Sequence, residues 1–134
     1  MKINLYTDGG SRNNPGPAGV GGVAFDESGE EIFRFKKFLG EKTNNQAEYL
    51  ALIEGLRIAE LKGYQAVECF LDSELVVKQL SGLYKIKHPD IQPLVAEVLK
   101  LKNKFKSISF KHVLREKNKT ADSLVNEAID EGLS

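Results

Sequence analysis

The pattern of apolar and polar positions changes along the chain from strand-like to helical. Residues 2–7 have the pattern of a strand, and residues 20–25 and 32–38 predict two more strands around the turn Asp26-Glu27-Ser28-Gly29, which is a hairpin signal. The chain is therefore expected to open as a meander of three antiparallel strands.

A helical pattern follows from Asn44 to Lys62, where apolar residues recur at positions 49, 50, 53, 56 and 59 without proline, and Gly63 ends the run. The segment Thr43-Asn44-Asn45-Gln46 has the spacing of a capping box at the start of this helix.

The rest of the chain alternates between strands and helices. We expect a strand, a short helix, a connector, an amphipathic helix, a strand and a closing helix, at residues 66–71, 73–80, 82–89, 91–105, 107–114 and 121–129. This order predicts one α/β domain over residues 1–134, with a mixed sheet, helices on its faces and right-handed crossovers.

Composition agrees with one domain, because 134 residues are enough to bury a sizeable core. No run of eighteen apolar residues occurs and the start, MKINLYTDGG, lacks a signal-peptide pattern, so we expect a cytoplasmic protein without a membrane segment. The lone Cys69 cannot form an internal disulfide and is expected in the core.

Charge is balanced overall but unevenly distributed. The formal net charge is 0, whereas residues 85–119 carry ten Lys or Arg and three Asp or Glu, a local excess of +7 by subtraction. This segment is either a solvated helix face or a surface that meets a polyanion.

Four acids lie at the predicted element boundaries. Asp8 ends the first strand and Asp72 follows the fourth, while Glu48 and Asp122 lie in the first turns of the long and the last helix. Helix dipoles and capping would explain Glu48, Asp72 or Asp122 taken singly.

Asp8 needs another explanation, because no helix follows it and Gly9-Gly10 with Pro15-Gly16-Pro17 predict a shaped loop. The loop lacks the Gly-Lys-Ser/Thr ending of a phosphate loop. If the first and fourth strands are parallel neighbours, Asp8 and Asp72 emerge side by side at their carboxyl ends, an unfavourable arrangement without a cation. Carboxylates without a Cys or His cluster favour Mg²⁺ or Mn²⁺ over zinc.

The chain resembles type 1 ribonuclease H, in its short single-domain bacterial and archaeal form, through YTDGGSRNNPGPAG, TNNQAEYLAL, FLDSELVVKQL and HVLREKNKTADSLVNEA. These blocks extend over nearly the whole chain in the family's order. The resemblance implies a ribonuclease H-like α/β fold with a five-stranded mixed sheet flanked by helices. It also implies sequence-independent endonucleolytic hydrolysis of the RNA strand of RNA–DNA hybrids.

The resemblance further implies catalytic roles. Asp8, Glu48, Asp72 and Asp122 match the family's metal-binding acids, which hold two Mg²⁺, replaceable by Mn²⁺, roughly 4 Å apart for in-line attack by water. The products would carry 3′-hydroxyl and 5′-phosphate ends. Arg115 matches an arginine of the archaeal-like forms and either assists product release and phosphate contact or is an ordinary solvated arginine.

Substrate contacts are implied for a set of small and amide residues. The residues matching minor-groove contacts are Gly10, Ser11, Asn14, Asn44, Asn45 and Gln46, and those matching a DNA-phosphate contact are Asn14 and Thr43. For Asn44 and Asn45 helix capping is the alternative, although two consecutive asparagines exceed what one cap requires.

Two features of the chain differ from those of ribonuclease H members that carry a catalytic histidine or a basic protrusion. His112 lies in a predicted strand, as a core or strand-edge residue, instead of on a flexible loop. The long basic protrusion is missing and no hybrid-binding domain precedes Met1, so we expect weaker, salt-sensitive binding, with Lys85 and Lys87 contributing and a slope of roughly −0.9 per neutralised phosphate.

Two other functions compete with the hybrid nuclease. One is a non-catalytic domain that binds hybrids, which four acids facing phosphates disfavour. The other is a related metal-dependent nuclease for branched DNA or double-stranded RNA. We expect an RNA–DNA hybrid as the partner, no obligate protein partner, and a monomer.

Overall fold

The structure is a computed structural model that describes residues 2–82 and 86–134. Its strands are β1 (Lys2–Ser11), β2 (Gly16–Phe25), β3 (Glu31–Lys42), β4 (Ala66–Leu71) and β5 (Ser107–His112). Its helices are α1 (Asn44–Leu61), α2 (Glu74–Leu80), α3 (Gln92–Lys102) and α4 (Lys119–Leu133), and a 3₁₀ turn spans Arg115–Lys117. None of the helices in these described ranges is both long and apolar enough to cross a membrane.

The strands form one mixed sheet in the order β3-β2-β1-β4-β5. Strands β1, β2 and β3 are antiparallel neighbours, whereas β4 and β5 continue the sheet in parallel with β1. The predicted meander and mixed sheet are therefore confirmed. The β1–β4 ladder ends at the pair Thr7 and Leu71, so Asp8 and Asp72 are the next residues on two adjacent parallel strands.

Strand β1 is longer than predicted. Residues 8–11 continue it by pairing with β2, with Asp8 opposite Gly21 and Gly10 opposite Gly19. The prediction of a loop at Gly9-Gly10 is therefore wrong. Gly9 serves close packing instead, because a Cβ there would lie 2.1 Å from the Ala47 carbonyl oxygen of α1.

Helices α1 and α4 cover opposite faces of the sheet. Gly9 faces α1, whereas its neighbour Gly10 faces Val125 of α4, as expected for residues that alternate across a strand. Gly21 of β2 allows α4 to approach, since a Cβ there would lie 2.5 Å from the Ala121 carbonyl oxygen. The first turn of α4, which contains Asp122, is thereby placed against the centre of the sheet.

The main core lies between the sheet and α1, α2 and α3, and includes Leu5, Leu52, Val67 and Val98. Cys69 is buried in this core, as predicted. Burial raises the pKa of its thiol, which disfavours the reactive thiolate.

Several element boundaries differ from the sequence-based prediction. The capping box at Thr43 and Gln46 is confirmed, and because α1 begins at Asn44, Glu48 lies in its second turn instead of its first. Helix α3 ends at Lys102, since the N–H groups of residues 104 and 105 make turn hydrogen bonds to residues 101 and 102. His112 ends the edge strand β5 and is exposed, so the strand-edge interpretation holds and the core interpretation is wrong.

Candidate active site

Three carboxylates meet at the end of the sheet where β1 and β4 part. Asp8 and Asp72 follow the last residue pair of the β1–β4 ladder, and Glu48 approaches the same point from α1. One carboxylate oxygen from each residue lies within 4.8 Å of the others. The structure therefore brings together three of the four acids that were singled out in the sequence.

This cluster is electrostatically unfavourable on its own. Asp8 is 6% exposed and Glu48 is 9% exposed. Burial raises the pKa of Asp8 to about 8, and the charge of Asp72 adds to the rise, while a hydrogen bond with Glu48 opposes it. Burial, followed by the charges of Asp8 and Asp72, raises the pKa of Glu48 well above its ordinary value. Like charges with little solvent around them disfavour the ionised state.

Asp72 is the least perturbed of the three acids. Burial raises its pKa, but a hydrogen bond with Asp8 and the positive charge of Arg115 oppose the rise. Asp72 is also half-buried instead of fully buried. The cluster therefore has one acid near solvent and two that are shielded from it.

The three residues fit a divalent cation. Glu48 Oε2 is buried and has no hydrogen-bond partner among the described residues. The possible ligand atoms of this cluster are all carboxylate oxygens, which Mg²⁺ and Mn²⁺ prefer as ligands. A bound cation would both satisfy the free oxygen of Glu48 and offset the repulsion among the three acids.

Asp122 and Arg115 lie on another wall of the same cleft, which has a volume of about 480 Å³. Asp122 is in the first turn of α4 and outside the group of three acids that lie within 4.8 Å, so its role as a metal ligand stays a prediction. Arg115 Nη2 is 3.6 Å from Asp122 Oδ1, and the arginine side chain is 81% exposed. Arg115 thus places a positive charge at the solvent side of the cleft.

Two asparagines connect one end of the cleft, which Asn44 lines, to the loop between β1 and β2, which contains Asn14, through their side-chain oxygens. The Ser11 backbone N–H donates to Asn44 Oδ1 (2.8 Å), and the Asn44 backbone N–H donates to Asn14 Oδ1 (2.9 Å). The Nδ2 groups of both asparagines have no hydrogen-bond partner in the described parts of the chain. This end of the cleft therefore offers hydrogen-bond donors to a ligand.

A smaller pocket of about 190 Å³ lies beside the loop between β1 and β2. Of the predicted substrate residues it is lined by Asn14, Thr43 and Asn45, together with His88, Asp90 and Ile91. The prediction did not include these last three residues, because nothing in the composition of residues 88–91 connects them to the start of α1.

The remaining predicted residues are placed as follows. Gly10 and Ser11 line the larger cleft. Gln46 lines neither cleft, because its Oε1 accepts hydrogen bonds from the N–H (2.9 Å) and hydroxyl (3.3 Å) of Thr43 at the helix start. Lys87 is exposed, and Lys85 lies outside the described residues.

Asn118 is a residue at this site that the sequence analysis missed. It is 2% exposed and its Nδ2 donates to the carbonyl of Thr7, the residue before Asp8, at 2.9 Å. The available sequence signal was an asparagine directly before a helix, which ordinarily indicates only an N-cap.

Fold and site together define a class: a five-stranded mixed sheet with helices on both faces and acids gathered beyond its central parallel strands. A family model described as reverse transcriptase-like matches residues 6–128. The structure is similar to ribonuclease H1 of Halobacterium salinarum, with a TM-score of 0.95, 40% identity, and coverage of 98% of this chain and 99% of the other. It is also similar to LC11 ribonuclease H1, solved in complex with an RNA/DNA hybrid, with a TM-score of 0.94, 45% identity, and coverage of 98% and 99%.

Sequence relatives agree. The chain is 41% identical to ribonuclease HI of Halobacterium salinarum over 97% of its own length and 65% of the relative. It is 42% identical to a bifunctional protein of Mycobacterium tuberculosis over 97% of this chain, but it spans only 36% of that protein. The chain belongs to the type 1 ribonuclease H family.

Proposed function

We propose that this protein hydrolyses the RNA strand of RNA–DNA hybrids at internal positions and without sequence preference. The observation that carries the proposal is the buried cluster of Asp8, Glu48 and Asp72, whose oxygens lie within 4.8 Å of one another. A related ribonuclease H1 was solved with an RNA/DNA hybrid, and this supports the substrate.

The proposed reaction is in-line attack of water on a phosphodiester, with 3′-hydroxyl and 5′-phosphate ends as products. Asp8, Glu48, Asp72 and Asp122 would hold two Mg²⁺ ions, which Mn²⁺ can replace. When bound, the ions would supply an activated water and stabilise charge on the departing 3′ oxygen. The contribution of the chain is to hold these carboxylates together in a site with little solvent, where bound cations would favour their ionised forms.

Substrate recognition in this proposal depends on hydrogen-bond donors. The carbonyl oxygens of Asn14 and Asn44 are engaged within the protein, so the side chains can present only their N–H groups. Phosphate oxygens and the minor-groove N3 and O2 atoms are all acceptors, and the latter occur in every base pair. The side-chain N–H groups of Asn14 and Asn44 would therefore bind the backbone and the minor groove without selecting a base sequence. The RNA strand would be distinguished by its 2′-hydroxyl groups near Glu48.

The decisive experiment uses matched duplexes of one sequence that differ only in the sugar of each strand. We expect Mg²⁺-dependent cleavage of the RNA strand in the hybrid, and none of the DNA strand. The same assay on double-stranded RNA and on a branched DNA junction tests the related nucleases. Asp8→Asn, which keeps the shape of the side chain, should abolish cleavage.

The alternatives give different outcomes. A non-catalytic domain would bind the hybrid and leave it intact with either Mg²⁺ or Mn²⁺. Cleavage that Asp8→Asn leaves unchanged would come from a contaminant and would reject the proposal. We further propose that the protein acts as a monomer in the cytoplasm, which sedimentation and fractionation would test.

A further inference from the structure

Asn118 connects three segments of the candidate site. Its side chain bonds to the Thr7 carbonyl, across 111 positions of the chain. Its backbone N–H donates to the Arg115 carbonyl (2.9 Å), and its own carbonyl accepts the Asp122 N–H (3.1 Å). One residue thus bonds to the neighbour of Asp8 and to both Arg115 and Asp122.

The hydrogen bond to Thr7 lies where the sheet loses a strand. Thr7 and Leu71 form the last pair of the β1–β4 ladder, and Leu71 is the last residue of β4, directly before Asp72. The amide of Asn118 also lies near enough to Asp72 to help lower the pKa of that acid. Asn118 therefore contacts the point at which the acid-bearing strands diverge.

Stability of the helix alone does not explain this arrangement. An asparagine directly before a helix ordinarily accepts a hydrogen bond from the first turn, yet Asn118 makes no such cap and turns to Thr7 instead. Its Oδ1 is buried without a hydrogen-bond partner among the described residues. A buried amide with one unpaired end costs stability, so its presence here points to a role other than stabilising the fold.

We propose that Asn118 is a positioning residue, which sets the separation between Asp122 and the cluster of Asp8 and Asp72 and so determines how tightly the site holds Mg²⁺. This inference rests on the proposed function for its catalytic consequence. Its consequence for Mg²⁺ binding is measured without substrate. Residues that orient metal-ligating side chains typically contribute about 10- to 100-fold to metal affinity or activity.

The test compares Asn118→Leu, which keeps most of the side-chain volume, and Asn118→Ser with the matched control Tyr49→Phe. Tyr49 is fully buried and donates to Gln79 Oε1 at 2.6 Å, so this control also loses one side-chain hydrogen bond from a buried residue. The first measurement is the Mg²⁺ concentration that gives half of the maximal rise in Tm. The second is kcat and KM on the hybrid.

We expect both Asn118 variants to need about 10- to 100-fold more Mg²⁺ for the rise in Tm. We also expect a lower kcat with little change in KM, whereas Tyr49→Phe should lower Tm without changing the Mg²⁺ dependence. If either Asn118 variant folds and matches Tyr49→Phe in its Mg²⁺ dependence, the positioning role is overturned. Absence of hybrid cleavage by the wild type would instead reject the proposed function and leave the Mg²⁺ result to decide on Asn118.

Discussion

The two ends of the cleft are built on opposite principles. At the acidic end Asp8 and Glu48 are buried beside Asp72 with raised pKa values, and Glu48 Oε2 lacks a partner among the described residues. At the amide end, the carbonyl oxygens of Asn14 and Asn44 are both engaged in hydrogen bonds within the protein. At the acidic end the carboxylates repel one another in the absence of a cation. At the amide end the side-chain oxygens already have their hydrogen bonds.

The comparison shows that the acidic end, and not the amide end, lowers the stability of the folded protein without a cation. Buried like charges destabilise the folded state in the absence of a cation, whereas donated hydrogen bonds at the start of α1 stabilise it. Binding of a cation and binding of a polyanion are therefore expected to depend on separate sets of residues, and substitutions can test each end alone.

The largest effect is expected for Asp8→Asn. Hydrolysis of the hybrid should fall by about 10²–10³-fold or more, since the cations that would stabilise transition-state charge lose a ligand. Without metal, the free energy of unfolding should rise by about 0.5–2 kcal/mol, because one of the repelling charges is removed. Cleavage assays and urea unfolding in a chelator measure the two quantities.

Glu60→Gln is the matched control, because Glu60 is an exposed acid on the same α1 helix that bears Glu48. It should leave hydrolysis of the hybrid unchanged and should change the free energy of unfolding by less than about 0.5 kcal/mol. If Asp8→Asn made the metal-free protein less stable, the contrast between the two ends would be lost.

The second effect is a pH dependence of stability without metal. Asp8 has a pKa of about 8 in the folded protein against 3.8 as its ordinary value, so the folded state binds more protons than the unfolded state between these limits. The free energy of unfolding should therefore fall as pH rises through this window, by roughly 2–5 kcal/mol.

Excess Mg²⁺ should oppose this loss, because a cation binds the ionised carboxylates and displaces their protons. Urea unfolding at about pH 5 and about pH 8, with Mg²⁺ and with a chelator, measures both trends. Asp8→Asn should flatten the dependence in chelator. Stability in chelator that instead increases with pH would contradict a cluster of protonated acids.

Much of this architecture was accessible from the sequence because it depends on local signals. The capping box at Thr43 and the strand at residues 66–71 involve neighbouring residues, and both were confirmed. The sequence analysis took parallel adjacency of the first and fourth strands only as a condition, and the structure meets this condition. Asp8 and Asp72 then lie together because the carboxyl ends of parallel strands share one edge.

The features that were missed depend on distant parts of the chain. Gly9-Gly10 suggested a loop by composition, but pairing with β2 and close packing of Ala47 make it a strand. Asn118 bonds to Thr7 across 111 positions, and no local pattern indicates such a partner. Sequence motifs identified which residue types gather, whereas the tertiary contacts decide what holds them in place.

The third effect tests the amide end. Asn14→Asp keeps the oxygen that accepts the Asn44 N–H but replaces the free N–H₂ group with a charged oxygen. We expect KM for the hybrid to rise by about 10-fold or more, through loss of a donor and repulsion of phosphate. The free energy of unfolding should change by less than about 0.5 kcal/mol, since an acid at a helix start is favourable.

Asn13→Asp adds the same charge one position earlier in the same exposed loop, where the side chain lines neither cleft. Its effect on KM should be smaller. Equal effects from the two substitutions would mean that general charge, and not a donated hydrogen bond, controls binding at this end.

The smallest effect is expected for Arg115→Ala, at the boundary between protein and solvent. Its exposed pair with Asp122 contributes only about 0.2–1 kcal/mol, so stability should barely change and kcat should fall by less than about 10-fold. Because the charge of Arg115 helps to lower the pKa of Asp72, its removal should move the acidic limb of the pH–rate profile to higher pH. Lys117→Ala removes the same charge from the same 3₁₀ turn but outside the cleft, and should leave that limb unchanged. A limb that moves equally in both variants would show that Arg115 acts through net charge instead of through its place beside the acids.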